Sequence, residues 1–82
     1  RDKVGMYKTF MDFLIKQYAA GRRTILIVDE AQNMDHQTLE ELRMLSNVNS
    51  EKDQVLQIIL AGQPGLRDNL RDPRLEQFAI EL

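Results

Sequence analysis

From Val4 to Tyr18 the apolar residues Val4, Tyr7, Met11, Leu14 and Tyr18 recur at steps of three and four, which predicts one face of an amphipathic helix. Phe10 and Phe13 widen the stripe, so this face is expected to be buried. Gly21 stands where a left-handed cap closes a helix, with Arg22 and Arg23 near the negative C-terminal end. The period then changes. Thr24-Ile25-Leu26-Ile27-Val28 is continuous and mostly β-branched, without the alternation of a half-exposed strand. Such a run predicts a strand covered on both faces, as in parallel sheets. It stops abruptly at Asp29-Glu30.

Asp35 or Asn33 can cap a second helix, in which Leu39, Leu42, Leu45 and Val48 keep the helical period. A polar loop from Asn47 to Asp53 leads to a second apolar strand, Val55 to Ala61, ended by Gly62-Gln63-Pro64-Gly65. Leu66 to Leu70 suits a short helical turn. Asp72-Pro73 then makes a good N-terminus for a last helix running through Leu75, Phe78 and Ala79. The order is helix, strand, helix, strand, helix, which predicts an α/β fold with parallel strands joined by a right-handed crossover. Two strands make a poor sheet, so the pattern reads as one partial domain over residues 1–82. No internal repeat or low-complexity segment interrupts it.

Eighty-two residues, 43% of them hydrophobic and 29% charged, describe an ordinary globular chain with room for one small core. A net charge of -2 carries no strong nucleic-acid signal and no basic membrane-binding surface. There is no cysteine and His36 is the only histidine, which excludes disulfide frames and cysteine or histidine metal clusters. His36 itself reads as a surface or capping residue beside the second helix. No apolar run approaches the ~20 residues of a membrane span, and no signal peptide is visible. A cytoplasmic setting is the expectation. The chain opens on Arg1 rather than Met, which points to a segment of a longer protein.

The acidic pair carries the chemistry. In open parallel sheets ligands bind beyond the carboxyl ends of the strands, where Asp29 and Glu30 fall. A carboxylate there suits Mg²⁺, which favours oxygen ligands and keeps several waters. A second carboxylate can polarise a water for attack on a γ-phosphate. The plainer reading is that acidic residues often mark the point where a buried strand returns to solvent.

Thr24 to Gln32 resembles the Walker B segment of AAA+ ATPases, a branch of the P-loop NTPases. More specifically, Ile25-Leu26-Ile27-Val28-Asp29-Glu30-Ala31-Gln32-Asn33, then Leu39-Glu40-Glu41-Leu42-Arg43 with Leu45-Ser46-Asn47, then Gln57-Ile58-Ile59-Leu60-Ala61-Gly62-Gln63-Pro64 resemble the ATPases of bacterial general (type II) secretion, the ExeA or GspA type. Similar ATPases serve pilus biogenesis and exosortase systems. The resemblance implies a partial AAA+ core that couples ATP hydrolysis to assembly or transport at the cell envelope. It makes Asp29 the Mg²⁺-associated acid, Glu30 the catalytic glutamate and Gln63 the sensor-1 residue. It implies an arginine finger acting on a neighbouring subunit, for which Arg74 or Arg71 is the candidate. The implied partners are further copies of the same protein, in a ring or other oligomer, and envelope-assembly proteins. Tethering to the inner membrane would lie outside this segment.

Two departures bear on that picture. Relatives usually carry an acidic residue where this chain has Gly65, and glycine there is expected to loosen the helical turn that follows. The phosphate loop, Gly-x-x-x-x-Gly-Lys-Ser/Thr, is also absent, since no Gly-Lys dipeptide occurs. The 82 residues alone are therefore expected neither to bind ATP well nor to hydrolyse it. With the loop-bearing strand missing, the second strand's edge would be unpaired and would drive self-association. Two rival readings remain. One is a superfamily-2 helicase fragment, suggested by Asp29-Glu30-Ala31-Gln32 but lacking a Ser-Ala-Thr-like segment on the next strand. The other is a non-catalytic interaction module on the same fold.

Overall fold

The first helix, α1, runs over Lys3–Ala19 and ends as its sequence predicts. Gly21 adopts φ 84. Its N–H donates to the Tyr18 carbonyl at 2.9 Å, while that of Arg22 reaches back to Gln17 at 2.9 Å, the paired bonds of a Schellman cap. The computed structural model describes residues 3–82, with side chains from residue 5 onwards, so the Val4 side chain lies outside the described residues. Leu14 is fully buried in the core, and Phe10, Met11 and Tyr18 pack against that core. Phe13 is displaced from the core (47% exposed) and stacks on Phe10 with ring centres 6.2 Å apart.

Strands β1 (Thr24–Val28), β2 (Leu56–Gly62) and β3 (Ala79–Glu81) form one parallel sheet in that spatial order. Leu26 pairs with Ile58, Val28 with Leu60, and Leu60 in turn with Ala79. Residues paired in parallel register share a face, so these side chains point together into the helical layer. The helices α1, α2 (His36–Ser46), α3 (Leu66–Leu70) and α4 (Pro73–Glu76) contribute Leu14, Leu42, Leu66, Leu70 and Leu75 to one core with them.

The opposite face is bare, which corrects the expectation that β1 is covered on both sides. Ile25 and Ile27 are 60% and 64% exposed, and Ile80 is 47% exposed. The apolar run in β1 marks two apolar faces, of which the described residues cover one.

Two further expectations fail at the C-terminal end. The last helix stops at Glu76, and Phe78 and Ala79 leave it for the sheet. The ladder explains why: Leu60 N–H donates to the Phe78 carbonyl at 2.9 Å, and Leu82 N–H donates to Gly62 at 2.8 Å. Long-range pairing overrides the helical pattern of a segment only a few residues long. In consequence β2 is the central strand, and its edge at Leu60–Gly62 is paired by β3 rather than open.

Asp35, not Asn33, caps α2, its carboxylate accepting the Thr38 N–H at 2.8 Å. Asn49 anchors the polar loop, with Oδ1 accepting from Val55 and Leu56 N–H and Nδ2 donating to the Leu56 carbonyl. Gly65 precedes α3 as its N-terminal cap at φ 97. It therefore lies outside the helix, where a positive φ calls for glycine, so the cost of glycine inside a helix does not apply to it.

Candidate functional site

The β1–β2 ladder closes at Val28 and Leu60; β1 ends there, while β2 runs on to Gly62 beside β3. Asp29 and Glu30 are both exposed there. Asp29 Oδ1 accepts the Glu30 N–H at 2.9 Å, which fixes the turn between the two acids. Glu30 holds a left-handed backbone, φ 54 and ψ 44, and its carbonyl starts the 3-10 turn Ala31–Asn33 by accepting from Asn33 at 3.0 Å. That conformation is uncommon for a residue with a side chain and concentrates at functional sites.

Gln32 joins the two strand ends. Its Nε2 donates to Glu30 Oε1 at 2.6 Å, and its Oε1 accepts the Gln63 N–H at 3.2 Å. A Cβ on Gly62 would stand 2.6 Å from that same Oε1, so glycine at the end of β2 is what admits the Gln32 amide. The Gln63 carbonyl accepts from Leu66 N–H at 3.1 Å, and the residue is exposed. Asp29, Glu30 and Gln63, singled out from sequence, are thus brought together. Gln32, part of the Walker B-like segment, is a residue of this network that the sequence does not single out. Its sequence signal was an amide two residues beyond an acid, with a glycine closing the next strand.

Arg74 lies outside this network. Its guanidinium pairs with Asp72, Nε to Oδ1 at 3.3 Å, while Asp72 also accepts the Arg74 N–H at 3.0 Å as the cap of α4. That backbone bond first, and the guanidinium second, hold the Asp72 carboxyl below its ordinary range. Arg71, the other candidate, ends α3 in a left-handed conformation at φ 56. It lines an open groove of about 620 Å³ with Gln32, His36, Glu40, Asn69 and Asp72.

Among the described residues no cluster of three or more metal-ligating side chains occurs. The exposed Asp29 carboxylate nevertheless suits a hard cation that takes one or two protein oxygens and draws the rest from phosphate and water.

Parallel strands ending in an acidic pair and a polar amide, backed by helices on one face, define a partial P-loop nucleotide-hydrolase core. The chain belongs to the AAA domain family, which it matches over residues 1–70. General secretion pathway protein A of Aeromonas hydrophila is 40% identical over 74 residues, 90% of this chain and 14% of that protein. The chain therefore spans about one seventh of that relative's length, 14%. No solved structure matches. The family resemblance read from the sequence is borne out.

Proposed function

We propose that this chain is the acid-bearing part of an AAA+ ATPase that couples ATP hydrolysis to secretion or pilus-type assembly at the cell envelope. The observation that carries the reading is the tied cluster of Asp29, Glu30 and Gln63 at one sheet end, in a chain of the AAA domain family. General secretion pathway protein A, the relative, is named for a secretion pathway, and the role extended to this chain is of that kind.

In this scheme Asp29 would hold Mg²⁺ together with the nucleotide phosphates, and the bound ion supplies neutralisation of charge on them. Glu30 polarises the attacking water and accepts its proton. Its Oε1 is taken by Gln32, which leaves the second carboxylate oxygen for that task. Gln63, on the exposed turn after β2, contacts the γ-phosphate or the water through its side-chain amide. Arg74 can serve a neighbouring subunit of a ring only by leaving Asp72, so its pairing there is a resting position. The phosphate loop comes from another part of the protein, because these 82 residues contain no Gly-Lys pair. The isolated segment is inactive for that reason. No helix among the described residues is long and apolar enough to cross a membrane. The cytoplasmic side is the setting that the proposed use of ATP calls for.

The test is ATP hydrolysis and ATP binding by the full-length protein, wild type against Glu30→Gln. Turnover is expected to fall by about 100-fold or more, the range for a lost general base, with ATP affinity retained. Equal turnover in both would overturn the role of Glu30, and none in either would favour a non-catalytic interaction module.

A further inference from the structure

The Gln32 side chain is polarised by its surroundings. One end faces a carboxylate and must donate, and the other faces a backbone N–H and must accept. Only a primary amide of this length meets both demands at once. A carboxylate cannot donate, an ammonium cannot accept, and a thioether of equal size does neither usefully. The bond to Glu30, at 2.6 Å, is short and charge-assisted. The other bond ends on the residue proposed to sense the nucleotide. Gly62, with no Cβ, keeps open the space that Gln32 Oε1 occupies.

We propose that Gln32 is a positioning residue for ATP hydrolysis, aiming the Glu30 carboxylate and linking it to the end of β2 where Gln63 sits. This rests on the reading of Glu30 as the water-activating acid. Glu30 is exposed, and its side chain has a single hydrogen bond among the described residues, that from Gln32. Without it the carboxylate would sample several rotamers, and the fraction aimed at the water would fall. Because the same amide takes the Gln63 N–H, a shift of Gln63 on meeting a phosphate is passed to Glu30 through one side chain. Gln32 touches no reacting atom and acts only through these two neighbours.

The experiment uses the full-length protein and measures single-turnover ATP hydrolysis, ATP dissociation constants and thermal midpoints. The variants are Gln32→Met, Gln32→Glu, Glu30→Gln and the double Glu30→Gln/Gln32→Met. Gln32→Met is expected to slow hydrolysis by about 10–100-fold, as loss of an orienting partner typically does, with ATP affinity changed less than about threefold. Gln32→Glu still accepts the Gln63 N–H but sets a second carboxylate against Glu30, so it should slow hydrolysis at least as much. The double variant should be no slower than Glu30→Gln alone, because Gln32 has nothing left to aim. Hydrolysis by Gln32→Glu near the wild-type rate would overturn the proposal, since the amide would then merely fasten the 3-10 turn to β2. Independent, multiplying losses in the double variant would overturn it too. Should Glu30→Gln itself leave turnover intact, the reading of Glu30 fails first, and the comparison separates that failure from one of Gln32 alone.

Discussion

Glu30 keeps a side chain where the backbone would prefer none. Its φ of 54 falls in the left-handed region, which costs a non-glycine residue about 1–2 kcal/mol. At Gly21 and Gly65, with φ 84 and 97, the chain meets the same need with glycine. Arg71 is the other residue with a side chain at positive φ among those described, and it too is a candidate for nucleotide chemistry. Strain tolerated at an exposed acid is best explained by what the acid does. A stability comparison follows from this. Glu30→Gly should be more stable than Glu30→Ala by about 1 kcal/mol, because glycine takes this conformation freely while alanine does not. Urea denaturation of the two variants checks it, and equal midpoints would mean that the turn relaxes to negative φ once the acid is gone. Neither variant should hydrolyse ATP in the full-length protein.

Elements whose cause is local were legible in the sequence. The period of α1, its Gly21 cap, the Asp35 cap of α2 and the halt of β1 at Asp29-Glu30 each depend on a few neighbouring residues. Contacts that join distant positions were not legible. Residues Phe78–Glu81 become strand because β2 offers them a ladder, and Gln32 meets Gln63 across 31 positions. The same holds for the bond that fastens the end of α1, where the Tyr18 hydroxyl donates to Asp53 Oδ1 at 2.9 Å. That hydrogen bond first, then desolvation and the Asp53 charge, raise the Tyr18 pKa above its ordinary value. With the folded value above the unfolded one, the contribution of Tyr18 is complete below about pH 10 and is lost as pH rises through the folded value. Tyr18→Phe should therefore lower the denaturation midpoint at pH 7 to 9, where the phenol is protonated and Asp53 ionised, and the gap should close above about pH 10. A gap that persists unchanged into strong alkali would show that the hydroxyl contributes nothing through Asp53.

At the scale of the whole molecule the described residues cover the sheet on one side. The helices share a single core with Leu26, Ile58 and Leu60, while Ile25, Ile27, Ile59, Ala61 and Ile80 share the other face by register, with the polar Gln57 beside Ile25. Exposed apolar side chains gathered on one face promote association in water. The expected route to self-association through an open β2 edge is narrowed, because β3 pairs with β2 at Leu60–Gly62 and leaves Leu56–Ile59 as the stretch without a strand partner on that side among the described residues. The bare face supplies a different route, and the two can be told apart. Ile27 and Ile80 lie on the two outer strands but on the same face. In sedimentation velocity the 82-residue chain should run above its monomer mass at high concentration, and both Ile27→Lys and Ile80→Lys should shift it toward monomer. Each side chain is about half exposed or more, 64% and 47%, so folding stability should change by no more than about 0.5 kcal/mol. If Ile27→Lys alone dissolves the association, the outer edge of β1 carries it, since lysine blunts an edge strand as well as a face. If the unsubstituted chain stays monomeric throughout, five apolar side chains on one sheet face are too few to drive association at these concentrations.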